Sequence, residues 1–190
     1  MTRWLAMVVC SVGLLSVCSC LPVPLGDAEK AAIDPRFVGA WTWADGGQTN
    51  VVVFRPWDQR TYLVDAMGYT GDPSAPVPKY RSTYKAWLTT VKGVPFVTMQ
   101  PADTLGGAAA NDKRKYLIAM LSLEADQLVA TPLDGDYKKF REVGTATELE
   151  KVVTANFDDV KMWGKPIAAT KLNDGGPPDL EKLGKAFETR

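Results

Sequence analysis

Phe37-Val38-Gly39-Ala40-Trp41-Thr42-Trp43-Ala44-Asp45-Gly46-Gly47-Gln48-Thr49-Asn50-Val51-Val52-Val53-Phe54-Arg55 decides the fold. Side chains on a strand alternate between faces. Phe37, Gly39, Trp41 and Trp43 therefore share one face of a first strand. Asp45-Gly46-Gly47 is a turn, and a valine-rich second strand follows from Thr49 to Arg55. β-Branched and aromatic residues on both sides of a glycine turn predict a hairpin.

The pattern repeats outward from this hairpin. Pro56-Trp57-Asp58 breaks the second strand, and Thr61 to Ala66 makes a third. A Gly- and Pro-rich loop from Gly71 to Pro78 leads into a long fourth strand, Tyr80 to Val91. Lys92-Gly93 turns it into a fifth, Val94 to Met99. A second loop, Pro101 to Arg114, precedes a sixth strand from Lys115 to Leu123. Glu124-Ala125-Asp126 turns that into a seventh, Leu128 to Pro132. Closely spaced strands joined by short turns predict an antiparallel meander.

The period then changes to that of a helix. Thr147-Glu148-Leu149-Glu150 fits a capping box, and Leu149, Val152, Val153 and Phe157 fall on one helical face. Pro166 to Leu172 is an eighth strand. Asn173 to Pro178 is a break, and Leu180, Leu183 and Phe187 suit a short tail helix after Asp179. The expected fold is mainly β: an up-and-down antiparallel barrel of about eight strands with one packed C-terminal helix. Gly39-Ala40-Trp41 at the start of the first strand, with this element order, resembles the G-x-W signature of lipocalins. The resemblance implies that Trp41 closes one end of a barrel beneath a late-strand basic residue, for which Lys171 is available. Trp41 and Gly39 are structural in that reading.

Ahead of the barrel, Arg3 is followed by an almost wholly apolar run from Trp4 to Val17, ending in Val17-Cys18-Ser19-Cys20. The run is shorter than the roughly 20 residues of a membrane-spanning helix. It suits the apolar region of a secretory signal. This end resembles the lipobox of bacterial lipoproteins, in which a diacylglyceryl group is attached to the cysteine and the leader is cut before it. The resemblance implies lipidation at Cys20 and a membrane partner through that lipid. With Leu21 next, it also implies an outer-membrane position facing the periplasm in a Gram-negative source. The organisation expected is a leader over 1–19, a lipidated tether over 20–32, the β-domain over 33–176 and a tail over 177–190. Pro22 and Pro24 stiffen the tether, while Asp27, Glu29 and Lys30 favour a hydrated spacer. The cysteines are Cys10, Cys18 and Cys20, so cleavage leaves one, itself acylated. A disulfide or thiolate metal site is then excluded.

Composition narrows function mostly by exclusion. The chain is 46% hydrophobic and 23% charged, which suits a globular domain. It carries 22 basic and 22 acidic residues with no basic stripe, so a nucleic-acid partner is not expected. It has no histidine, which removes the commonest general base and the commonest zinc ligand. Ser82-Thr83-Tyr84-Lys85 matches S-x-x-K, but the segment is a strand, where Ser82 and Lys85 face opposite ways. Asp134-Gly135-Asp136 lacks the further oxygens of a calcium loop, and Asp158-Asp159 point apart. Neither an enzymatic role nor a cofactor or metal is expected. What remains is aromatic. Trp57, in a turn, and Trp87 are the candidate binding rings. The leading function is binding of a small apolar or lipid ligand inside the barrel. The alternatives are an envelope interaction module with a filled core and, behind it, a carboxylate-based glycan enzyme.

Overall fold

A computed structural model describes residues 20–71, 77–102 and 116–172. The leader, the loop centres at 72–76 and 103–115, and the break and tail from 173 lie outside the described residues. The chain forms a closed antiparallel barrel of eight strands in sequence order. The strands are β1 (Gly39–Asp45), β2 (Gln48–Pro56), β3 (Tyr62–Thr70), β4 (Val77–Val91), β5 (Val94–Pro101), β6 (Leu117–Glu124), β7 (Gln127–Pro132) and β8 (Ile167–Lys171). Closure comes from Trp41 and Thr42 of β1 pairing with Lys171 and Thr170 of β8. This two-pair contact joins the first and last strands, so neither is left as a free sheet edge along its whole length. The expected strands are all present. The main difference is that β3 runs on to Thr70, because β4 begins early enough, at Val77, to pair with it.

One apolar cluster draws Trp41, Phe54, Tyr62, Val64, Ala86, Val97, Leu121, Leu128 and Ala169 from all eight strands together, and is therefore the barrel interior. A second core lies outside the wall. There Val91, Phe96 and Ile118 of β4, β5 and β6 meet Leu21, Leu25, Leu133, Phe140, Leu149, Val153 and Met162. The wall is buried on both faces in this region, which explains why Phe96, Val97 and Thr98 are all buried in succession. On β2 to β4 the outer face is instead polar at Asp65, which pairs with Arg55 and accepts a 2.8 Å bond from the Thr83 hydroxyl.

The outer core is built by two segments. The first is the crossover between β7 and β8, which carries the helix α1 (Ala146–Ala155). Its capping box is Thr145 with Glu148, two residues earlier than the sequence spacing predicts. Glu148 prevails because its carboxylate also accepts the Gly144 amide at 2.9 Å, so it satisfies two amides before the helix. Leu149 and Val153 are buried as expected. Phe157 lies beyond the helix end and packs edge-on to Trp163, with ring centroids 5.5 Å apart.

The second segment is Leu21 to Phe37, expected over its first dozen residues to be a hydrated spacer. It is docked on the barrel instead. Leu21 forms a β-bridge with Tyr116, and the Leu25 carbonyl accepts from Trp87 Nε1, Thr89 Oγ1 and Thr98 Oγ1 at 3.1, 3.3 and 3.0 Å. Burying Leu21 and Leu25 wins over the solubility of Asp27, Glu29 and Lys30, which stay exposed on the strap's outer side. The strap starts where β5 ends and β6 begins, and it finishes at the opposite end of the barrel. There Asp34 exchanges hydrogen bonds with the Tyr62 hydroxyl and Phe37 enters the interior cluster. No helix among the described residues is long and apolar enough to cross a membrane.

Candidate functional site

The two ends of the barrel interior differ. At the end where β1 begins, the turn Pro35–Phe37 closes the barrel. Phe37 and Trp41 are 1% exposed and Tyr62 is fully buried. The Trp41 indole N–H donates to the Phe37 carbonyl at 3.0 Å. The Lys171 ammonium lies over the Trp41 ring, 5.4 Å from its centre. Gly39 has φ +131°, and a Cβ there would sit 3.3 Å from Lys171 Cε. The backbone conformation favours glycine, and the lysine stem leaves little room for a Cβ. Gly39, Trp41 and Lys171 therefore lie together at this end. This is the sealed end.

Toward the other end, the inward positions keep accessible surface. Strand alternation from the buried cluster places Val52, Ala66, Met99, Leu117 and Ile167 on the inner face, and each is partly exposed. Beside them a polar wall crosses four strands: Trp43 pairs with Asn50, Asn50 with Gly68, and Gly68 with Tyr80. A Cβ on Gly68 would meet Tyr80 Cε1 at 2.2 Å, so glycine lets the Tyr80 ring lie flat against the wall. The Tyr80 hydroxyl donates to Asn50 Oδ1 at 2.9 Å, and Gln48 Nε2 donates to the same oxygen at 2.6 Å. Burial pushes the Tyr80 phenol up to about 12, so it stays a neutral donor.

An eight-stranded barrel has room for its own side chains or for one small ligand. At the sealed end the barrel's own side chains fill it, and toward the other end its inward side chains are partly exposed.

The aromatic residues singled out in the sequence are not brought together. Trp57 lies in the β2–β3 turn at the sealed end, 51% exposed. Trp87 faces outward from β4, buried beneath the strap, edge-on to Tyr116 with ring centroids 6.1 Å apart. Its indole N–H is committed to the Leu25 carbonyl, so its role in this geometry is to hold the strap. Cys20 is partly buried beside the bridge from Leu21 to Tyr116. Ser82 faces the interior and Lys85 the exterior, as alternation requires. Asp134 accepts the Asp136 amide in a local turn. Asp159 caps a short turn and accepts the Tyr137 hydroxyl, which with the Lys161 amide holds its carboxyl below the usual range. Among the described residues no His, Cys, Asp or Glu cluster is placed to hold a metal.

The accessible wall of Trp43, Asn50, Tyr80 and Ser82 was not singled out by sequence reasoning. Its signal is one residue: Asn50 breaks the alternation that continues through Val52 and Phe54. A separate surface groove of about 970 Å³ lies outside the barrel, between the strap, the β4–β5 turn and the start of α1. Its charged residues are largely paired with one another, as in Lys30 with Asp27 and Arg36 with Asp34. Compared with protein-family models, curated proteins and solved structures, the chain finds no match, so the reading of this site rests on its own geometry.

Proposed function

We propose that this protein is a lipid-anchored protein of the bacterial envelope that holds a small apolar or lipid molecule in the accessible half of its barrel. The role is binding, without catalysis. The observation that carries it is the coincidence of two features at one end. Leu21 is bridged to Tyr116, and the next residue, Leu117, lines the accessible interior. A lipid on Cys20 would therefore leave the molecule beside the accessible end, while the strap fixes the sealed end away from it. An apolar ligand could then pass between bilayer and barrel without crossing much water, whose exclusion favours the transfer. Leu21 after the lipidated cysteine supports the outer membrane, periplasmic side, for a Gram-negative source.

The test is mass spectrometry of the full chain purified from membranes. The native mass should exceed the denatured mass by one reproducible apolar molecule, while the denatured mass should keep the covalent diacylglyceryl adduct. Equal native and denatured masses, with nothing extracted by organic solvent, would sink the carrier reading. The orientation has its own check. In vesicles, a fluorophore on Ala44→Cys, at the accessible end, should be quenched by brominated lipid more than one on Asp126→Cys at the sealed end. Equal quenching would remove the orientation argument.

The outer groove favours a second reading, an interaction module that docks an envelope protein there. Crosslinking in intact cells from Thr90, on the groove wall, should then return one specific partner; background alone would end that reading.

A further inference from the structure

Among the described residues the accessible interior offers hydrogen-bond donors and no cation, and we propose that its ligand is an uncharged lipid whose ester or keto oxygen is received by Asn50 Nδ2 and Trp43 Nε1. The inference rests on the carrier reading above and names the chemistry of its ligand.

Asn50 is 3% exposed. Its Oδ1 already accepts from Gln48 and Tyr80, which sets the amide so that Nδ2 is the free side. Nδ2 has no acceptor among the described residues. Among the described residues no fully buried side-chain nitrogen or oxygen lacks a partner, so Nδ2 keeps contact with the accessible space, where a ligand oxygen can reach it. Trp43 repeats the point. The indole N–H groups of Trp41, Trp87 and Trp163 each donate to a backbone carbonyl, of Phe37, Leu25 and Phe157. Trp43 packs against the same interior cluster as Trp41, yet its N–H has no such acceptor among the described residues. Ser82, two positions along from Tyr80 on the same face, has a hydroxyl with no protein partner among the described residues. Donors are in excess, so the complementary ligand group is an acceptor.

Charge decides between acceptors. The accessible lining named above, from Trp43 and Asn50 to Leu117 and Ile167, contains no cation. Lys171 sits at the far end, over Trp41. By register the nearest inward carboxylate is Asp45, exposed at the turn, and it would repel an anion. A free fatty-acid carboxylate would lose its hydration without gaining a counter-ion. An ester or ketone loses far less and satisfies the same N–H groups.

The test compares methyl oleate, 1-octadecene and oleate at pH 8 on the full-length protein, read by displacement of the apolar dye N-phenyl-1-naphthylamine. Methyl oleate should bind about three- to tenfold tighter than octadecene, one or two hydrogen bonds' worth. Oleate should bind more weakly than its methyl ester. Trp43→Phe keeps an aromatic ring and removes the N–H, so it should lower the ratio of methyl oleate affinity to octadecene affinity. Asn50→Leu should do the same, and Trp43→Phe keeps the test readable if Asn50→Leu fails to fold. Equal binding of ester and alkene, or preferential binding of oleate, overturns the inference while leaving a carrier standing. No binding of dye or any chain overturns the carrier reading itself.

Discussion

Trp41 and Trp43 lie two residues apart on one strand and face the same interior, yet their surroundings are opposite. Around Trp41 every group is matched: its ring meets Lys171, its N–H meets the Phe37 carbonyl, and Phe37 closes the barrel beneath it. Around Trp43, Asn50 and Gly68 are buried but Val52, Ala66, Tyr80 and Ser82 are partly exposed, and hydrogen-bonding capacity is left over. One barrel thus combines a core that stabilises with a lining that does not complete itself. Stability is concentrated at the sealed end, and the accessible end is where a second molecule could add to it.

That contrast is broken most directly by truncating the two tryptophans. Trp41→Ala should lose about 3–5 kcal/mol, the usual range for a fully buried large aromatic. Trp43→Ala should lose less than about 2 kcal/mol, because part of its surface is already in water. Guanidinium unfolding midpoints with unchanged slopes measure both. Equal losses would mean that the ends are not energetically distinct. Leu25→Ala comes next, at about 2–4 kcal/mol from its fully buried site. It should also red-shift tryptophan emission as Trp87 is uncovered, and an unshifted spectrum would mean the strap stays docked. Lys171→Met keeps the stem over Trp41 and removes the charge. It should lose about 0.5–2 kcal/mol, the range of a cation–π contact, in the same unfolding measurement; no change would show that the stem alone closes this end.

The barrel was legible in the sequence because its signal is local. Alternation, glycine turns and a single change of period fix eight strands and one helix, and no long-range information is needed for them. The helix start was off by two residues because two overlapping Thr-x-x-Glu spacings occur. Only the contact between Gly144 and Glu148 distinguishes them. The strap differs from the expected spacer because its charged residues Asp27, Glu29 and Lys30 follow two prolines and mask the apolar Leu21 and Leu25. Whether Leu21 and Leu25 are buried depends on a barrel face formed by residues about 60 to 95 positions later. Trp87 was singled out as a ring, but a strand's two faces are equivalent until the sheet closes, and it fell on the outer one. The polar wall was hidden for the same reason. Asn50, Gly68, Tyr80 and Ser82 become neighbours only through the β1–β4 register. What local sequence carries is the odd polar residue in a valine-rich strand.

Acid provides the smallest and most selective test of the difference between the ends. At the sealed end the Asp34 carboxylate accepts the Arg36 guanidinium and amide, and the Arg36 side chain chiefly holds its carboxyl below the usual range. A depressed folded value means this contribution is complete above about pH 4, the unfolded carboxyl value, and fades as pH falls through the folded one. Among the described residues the accessible end's inward carboxylate is Asp45, which is exposed at the turn and has no ion-pair partner of this kind. Unfolding midpoints should therefore drop between pH 5 and pH 2.5, by less in Asp34→Asn than in the native chain, with Glu148 and Asp159 in the crossover accounting for part of the remainder. Alkali does not separate the ends. Tyr80, pushed up to about 12, and Tyr62, also raised by burial, both favour the fold fully below about pH 10 and lose that as pH rises through their folded values. An acid response identical in Asp34→Asn and the native chain would show that the seal rests on Phe37 and Trp41 packing alone, with the aspartate no more than a surface partner of Arg36.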